Sequence, residues 1–162
     1  MRRATATMSH LLIRRCAAAL LGCTLAQAAL AQDEGGLYIA GSSFSFEQAA
    51  NRGIAQNPQG QRFFVLVLPP HTQVLTKTAP QAAAATRGRV TAGGGVLLLC
   101  QREIDNRTVE AAALVPGVVK VRGFPPPGST ALPDGERYFA GEDPANLPRS
   151  NEALRRLRAA CS

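Results

Sequence analysis

The chain has 162 residues, 46% hydrophobic and 18% charged, with 18 Lys+Arg against 11 Asp+Glu for a formal net charge of +7. That length suits one domain and excludes two well-buried ones, and the apolar content excludes a wholly disordered chain. The positive balance invites a nucleic-acid reading and the four cysteines a metal or disulfide framework, so the first question is which residues stay in the mature protein.

Residues 1–31 read as a secretory signal peptide. Arg2, Arg3, Arg14 and Arg15 form a basic start, residues 16–25 are apolar or small, and Ala29-Leu30-Ala31 supplies a small-x-small cleavage pattern before Gln32. The apolar run is about ten residues, short of the roughly twenty that a permanent bilayer span requires. Leu20-Leu21-Gly22-Cys23 loosely resembles a lipoprotein box, with a Leu where a smaller residue is usual, so a membrane anchor is expected only if Cys23 is that site. The expected destination is a bacterial periplasm. Cleavage after Ala31 leaves 131 residues; four arginines and no acids leave with the leader, so fourteen basic residues face eleven acids and the charge falls to +3. Cys100 and Cys161 are then the mature cysteines. The remaining arginines are scattered, the lysines are Lys77 and Lys120, and no aromatic surface interleaves with them, which excludes nucleic acid as the expected partner.

In the mature part, residues 37–40 read as a short first strand that leaves into Gly41-Ser42-Ser43. Residues 44–56 carry Phe46, Ala49, Ala50 and Ile54 at helical spacings, with Gly53 weakening the second half. After the Asn57-Pro58-Gln59-Gly60 turn, residues 62–68 are the strongest strand, apolar on both faces, stopped by Pro69-Pro70. Residues 72–89 read as a helix in two pieces, the second opened by a Thr78/Gln81 capping box with Pro80 in its first turn. Gly93-Gly94-Gly95 marks the return into an apolar strand at residues 96–100. Asp105 or Asn106 is the expected cap of a third helix with Ile104, Thr108, Ala111 and Val115 on one face, ended by Pro116-Gly117. Residues 118–122 alternate, with Val119 and Val121 opposed to Lys120 and Arg122, as expected near a sheet edge.

This alternation predicts an α/β domain over residues 32–162: one mainly parallel sheet of four to five strands with helices on both faces. The tail differs. Residues 123–147 form a Pro/Gly-rich excursion in which Tyr138-Phe139 reads as a small edge strand or an aromatic plug. A closing helix over 151–161 is capped by Ser150, with Leu154, Leu157 and Cys161 on one face.

Ligands of open parallel sheets gather at the carboxyl ends of the strands. Three strand ends deliver polar or reactive groups there: Ser42 and Ser43, then His71, then Cys100 with Gln101 and Arg102. Cys100 has three readings. It is a nucleophilic thiolate favoured by a helix start and by Arg102 and Arg107, or a buried core thiol, or half of a Cys100–Cys161 disulfide. His71 can act as a base toward Cys100, but after Pro-Pro it reads more simply as a solvated loop residue. No metal is expected, since His71, Cys100 and Cys161 show no ligand spacing. Gly93-Gly94-Gly95 precedes a strand and so is no phosphate loop, and no cofactor is implied.

Residues 94–123 resemble the DsrE/DsrF-like family of small sulfur-relay proteins. The matching text is Gly-Gly-Val-Leu-Leu-Leu-Cys ending at Cys100, the helix with Asn106-Arg107, and Leu114-Val115-Pro116-Gly117-Val118 before the next strand. The resemblance implies a parallel α/β fold, a homo-oligomer, and a persulfide carried by Cys100 between a sulfur donor or acceptor protein or a small sulfur compound. Arg102 and Arg107 would steady the anionic sulfur, with Ser42, Ser43 and His71 as rim contacts. The expected function is therefore a periplasmic sulfur carrier. The alternative is a non-catalytic secreted α/β module, held by a disulfide or buried thiols, that binds a partner.

Overall fold

The two most apolar runs of the chain take the middle of an all-parallel sheet. In the computed structural model, which describes residues 36–58, 60–123, 139 and 142–162, the strands are β1 (Leu37–Ala40), β2 (Phe63–Val67), β3 (Gly95–Cys100) and β4 (Val118–Val121). Their order in the sheet is β1-β2-β3-β4 and every neighbouring pair is parallel. Every residue of β2 and β3 is buried, as a central strand between two packed layers requires. At the β4 edge Val121 is buried while Lys120 is exposed, the alternation expected there.

Strand order equal to chain order decides where the helices lie. Each crossover steps one strand in the same direction, so crossovers of one hand all fall on one face. Helix α1 (Phe46–Gln56), helix α2 (Gln81–Ala92) and the five-residue helix α3 (Gln101–Asp105) do so. Phe46, Ala49 and Ala50 of α1, Val90 of α2 and Ile104 of α3 pack with Tyr38, Phe63, Val65, Val67, Leu97 and Leu99 on that face. The opposite face would stand bare without the tail. Helix α4 (Asn151–Cys161) covers it, setting Ala153, Leu157 and Cys161 against Leu37, Leu66, Leu98, Cys100 and Val121, with Phe139 in the same cluster. The aromatic-plug reading of Phe139 fits this burial. Residues 1–31 and most of the 123–147 excursion lie outside the described residues.

Local chemistry sets the helix starts. Ser45 and Gln48 form a reciprocal capping box at α1: the Ser45 amide donates to Gln48 Oε1 at 2.8 Å, and the Gln48 amide to Ser45 Oγ at 3.2 Å. Ser150 caps α4 by accepting from the Ala153 amide at 3.0 Å. The Thr78/Gln81 box does not form. A proline drives the residue before it away from helical geometry, so α2 begins after Pro80, which is its N-cap. Thr78 instead shares a 3.2 Å hydroxyl contact with Thr76.

The third helix also departs from expectation. Asn106 ends α3 rather than starting a helix, and Arg107 follows in the left-handed region at φ 59°. The Arg107 amide donates to Ile104 O at 2.9 Å and the Thr108 amide to Glu103 O at 2.8 Å, the paired bonds of a Schellman stop. From there the chain runs along the segment after β2. The Val115 amide donates to Leu75 O at 3.0 Å, the Lys77 amide to Ala113 O at 2.8 Å, and Lys77 Nζ to Ala112 O at 2.8 Å. Two loops stitched together thus replace a helical layer. Arg107 occupies a conformation that costs a Cβ-bearing residue roughly 1–2 kcal/mol. Arg107→Gly relieves this and adds unfolded-chain entropy, so a net stabilisation of about 0.5–1 kcal/mol is expected in urea titration; a loss would show that the arginine side chain outweighs its backbone.

Candidate functional site

Residues that the sequence places on one rim are parted by the fold. Ser42 and Ser43 follow β1, His71 follows β2, and Cys100 ends β3, so all stand at carboxyl ends. A sheet whose strand order matches the chain order has no switch point, however, and therefore no crevice opened by diverging connections.

Side-chain parity removes Cys100 from that rim. Leu97 and Leu99 face the crossover layer, whereas Val96, Leu98 and Cys100 face α4. Cys100 occupies the N-cap position of α3, yet its side chain makes no capping bond and points to the other face. The helix is one turn long, so its dipole offers little in any case. Cys100 is fully buried and its Sγ is bonded to Cys161 Sγ at 2.00 Å, with Cα atoms 5.1 Å apart. A thiolate steadied by a helix start and by arginines is not what this position holds.

Other contacts fasten the same end of α4. The single Ser162 hydroxyl proton has two carbonyls within reach, Arg158 O at 2.7 Å and Gly123 O at 3.2 Å. The Arg102 guanidinium donates to the Ser162 carbonyl and pairs through Nε with Glu103 Oε1 at 3.0 Å. Gly123 lies so close that a Cβ there would meet the Cys161 carbonyl carbon at 2.1 Å. Arg102 is thus a strut for the chain end, and Arg107 belongs to the turn after α3. His71 donates its amide to Leu68 O at 2.9 Å, closing the turn through the cis Pro69–Pro70 bond. Its imidazole makes no hydrogen bond or ion pair among the described residues.

What the rim does contain is a pocket of about 260 Å³ at the end of β1. Its floor is apolar, from Tyr38, Ile39, Ala49 and Leu68, and its mouth carries Ser42, Ser43 and Phe44. Arg52 of α1 enters from the crossover face and Arg156 of α4 from the opposite face. The two layers meet here because β1 is an edge strand, so nothing beyond it separates them. Phe44 is 42% exposed, the most exposed large apolar side chain among the described residues, and the Arg52 guanidinium lies 4.9 Å from its ring centroid. Sequence reasoning found Ser42 and Ser43 but missed Arg52 and Arg156. Arg52 was within reach, four positions before Gln56 on the face of α1 that flanks Phe46; Arg156 depends on where α4 docks.

Elsewhere, burial raises the Glu142 carboxyl above its ordinary range against the opposing pull of Lys120 and Arg122. Among the described residues no cluster of His, Cys, Asp and Glu could hold a metal ion, and no helix is long and apolar enough to cross a membrane. Compared with protein-family models, curated proteins and solved structures, the chain matches none of them.

Proposed function

We propose that the protein is an exported, non-catalytic α/β binding module in which Cys100 and Cys161 form a structural staple. The observation that carries this reading is the Cys100–Cys161 bond, buried under α4 and joining it to β3. A sulfur carrier requires a thiolate within reach of a donor, and the bonded, fully buried Cys100 supports the staple instead. Residue separation of 61 makes the link a long loop closure, the kind that small exported domains use where glutathione does not keep thiols reduced. The leader-like residues 1–31 support the same compartment.

Mass spectrometry of the native protein tests this. The mature chain should be two hydrogens lighter than its reduced form, should take up no iodoacetamide before reduction and unfolding, and should gain no sulfur from thiosulfate or polysulfide. A native Cys100 that alkylates within minutes, or gains the mass of one sulfur atom, would reinstate the sulfur-relay reading.

A further inference from the structure

We infer that the Cys100–Cys161 bond is made by exchange with an external disulfide in a fixed order, Cys161 reacting first and Cys100 closing the bond. This rests on the staple reading and adds the class of partner that must supply the staple. Both cysteines are hidden once α4 has docked, Cys100 at 0% and Cys161 at 1% exposure. A thiolate has to reach a sulfur of the donor, so the first to react is the one that a small opening sets free.

The two cysteines differ in what such an opening costs. Cys100 is the last residue of β3, a strand paired on both sides, and stands opposite Val121 of β4. Freeing it means taking the sheet apart. Cys161 is the last residue of α4. After the buried Leu157 that helix carries Arg158, Ala159 and Ala160, so its final turn brings no large apolar side chain to the core. Unwinding the turn gives up the burial of Cys161, part of that of Ala160, and the polar contacts of Ser162. Helix ends fray readily, and Leu157 stays in place while this one does. A second contact holds Cys100 back. Its Sγ lies 3.8 Å from Ala160 O, so the reduced thiol donates to that carbonyl and is kept from the thiolate form while the turn is wound.

In the first step the Cys161 thiolate, its proton gone to water, attacks one sulfur of the donor. The donor S–S bond breaks, and the other sulfur leaves and takes up a proton. Rewinding the turn brings the mixed disulfide back to Cys100. The Cys100 thiol gives up its proton and attacks Cys161 Sγ, and the remaining donor sulfur leaves as a thiol. The two cysteines lose two electrons and two protons, and the donor disulfide becomes two thiols.

Peptide-mapped mass spectrometry of the full chain tests this, because trypsin leaves Cys100 and Cys161 in separate peptides. The protein is reduced with dithiothreitol in native buffer, freed of it, and given a short pulse of iodoacetamide. Cys161 is expected to label about tenfold or more faster than Cys100. In denaturing urea the two should label alike. With oxidised glutathione in place of the pulse, Cys100→Ala should accumulate glutathione on Cys161, and Cys161→Ala should load Cys100 about tenfold or more slowly. An oxidised Cys-x-x-Cys protein serves as a second, larger donor; the faster of the two names the source, and both should mark Cys161. Labelling of Cys100 level with or ahead of Cys161, whether in the folded protein or because the reduced chain has lost its fold, would overturn the inference. Protein never treated with reductant separates the two failures. A reactive Cys100 there discards the staple reading itself, whereas unreactive cysteines there, with the wrong order after reduction, discard only the order.

Discussion

Replacing Cys100 and Cys161 together by alanine is expected to lower the unfolding free energy by about 4 kcal/mol. Cross-linking residues 61 apart removes that order of loop-closure entropy from the unfolded chain, between about 3 kcal/mol for a 15-residue loop and 4.7 for a 100-residue one. Set against a typical total of about 5–15 kcal/mol, the loss is large. The topology makes it larger in consequence than in magnitude. All three crossovers cover one face, so α4 supplies the helical cover for the other, and its last turn is tied down by the disulfide, the Arg102–Ser162 bond and the close approach at Gly123. Urea titration should show a lower midpoint and a steeper slope, because the unlinked chain exposes more surface on unfolding. Hydrogen exchange should show α4 opening before β2 and β3. Dithiothreitol should bring the parent protein to the same curve. A drop below about 1 kcal/mol would mean that Ala153 and Leu157 hold α4 by packing alone.

Phe63→Ala is expected to cost about 3–5 kcal/mol, as for other fully buried aromatic side chains. Phe63 is fully buried where β1, β2, β3 and α1 converge, 6.1 Å from the Tyr38 ring in an edge-on contact. Two glycines make room for it. A Cβ at Gly53 of α1 would meet the Phe63 ring at 2.6 Å, and one at Gly95, the β3 partner of Phe63, would meet it at 2.6 Å as well. Gly53→Ala should therefore destabilise the parent by about 1–3 kcal/mol through overpacking. That outweighs the roughly 1 kcal/mol that alanine contributes in a helix interior. In the Phe63→Ala background the 2.6 Å clash is gone and the 3.1 Å approach to Tyr38 Cδ2 has the vacated ring space to relax into, so the same substitution should become stabilising. A double-mutant cycle measures this reversal directly; additive effects would mean the ring does not rest on Gly53.

The residues that ordered the chain into strands and helices were legible because their signals are local. The unbroken apolar runs of β2 and β3 needed no partner to be read, nor did the stripe of α4 or its Ser150 cap. The alternation of Val119, Lys120 and Val121 marked β4 as an edge. The misreadings arose where one residue type serves two ends of a helix. Asp105 or Asn106 reads as an N-cap, yet Asp105 is the last residue of α3 and Asn106 its C-cap, because asparagine suits both ends, and Arg107 in left-handed geometry has no signature in sequence. Gly53 illustrates the converse: by propensity it is a flaw in α1, while in the fold it is the seat of the Phe63 ring, which comes from ten residues further along the chain.

Composition and cysteine count opened the question of partner and redox state, and the signal-peptide reading of residues 1–31 narrows it to an expected +3 and two cysteines. Local pattern was sufficient for the α/β class, since period and turn chemistry act over a few residues. The pairing of Cys100 with Cys161 and the meeting of Arg52 with Arg156 around one pocket were decided by tertiary structure. Both depend on the path of α4 across the face that the crossovers leave open, and that path is set by strand order and crossover hand, which no short stretch of residues encodes.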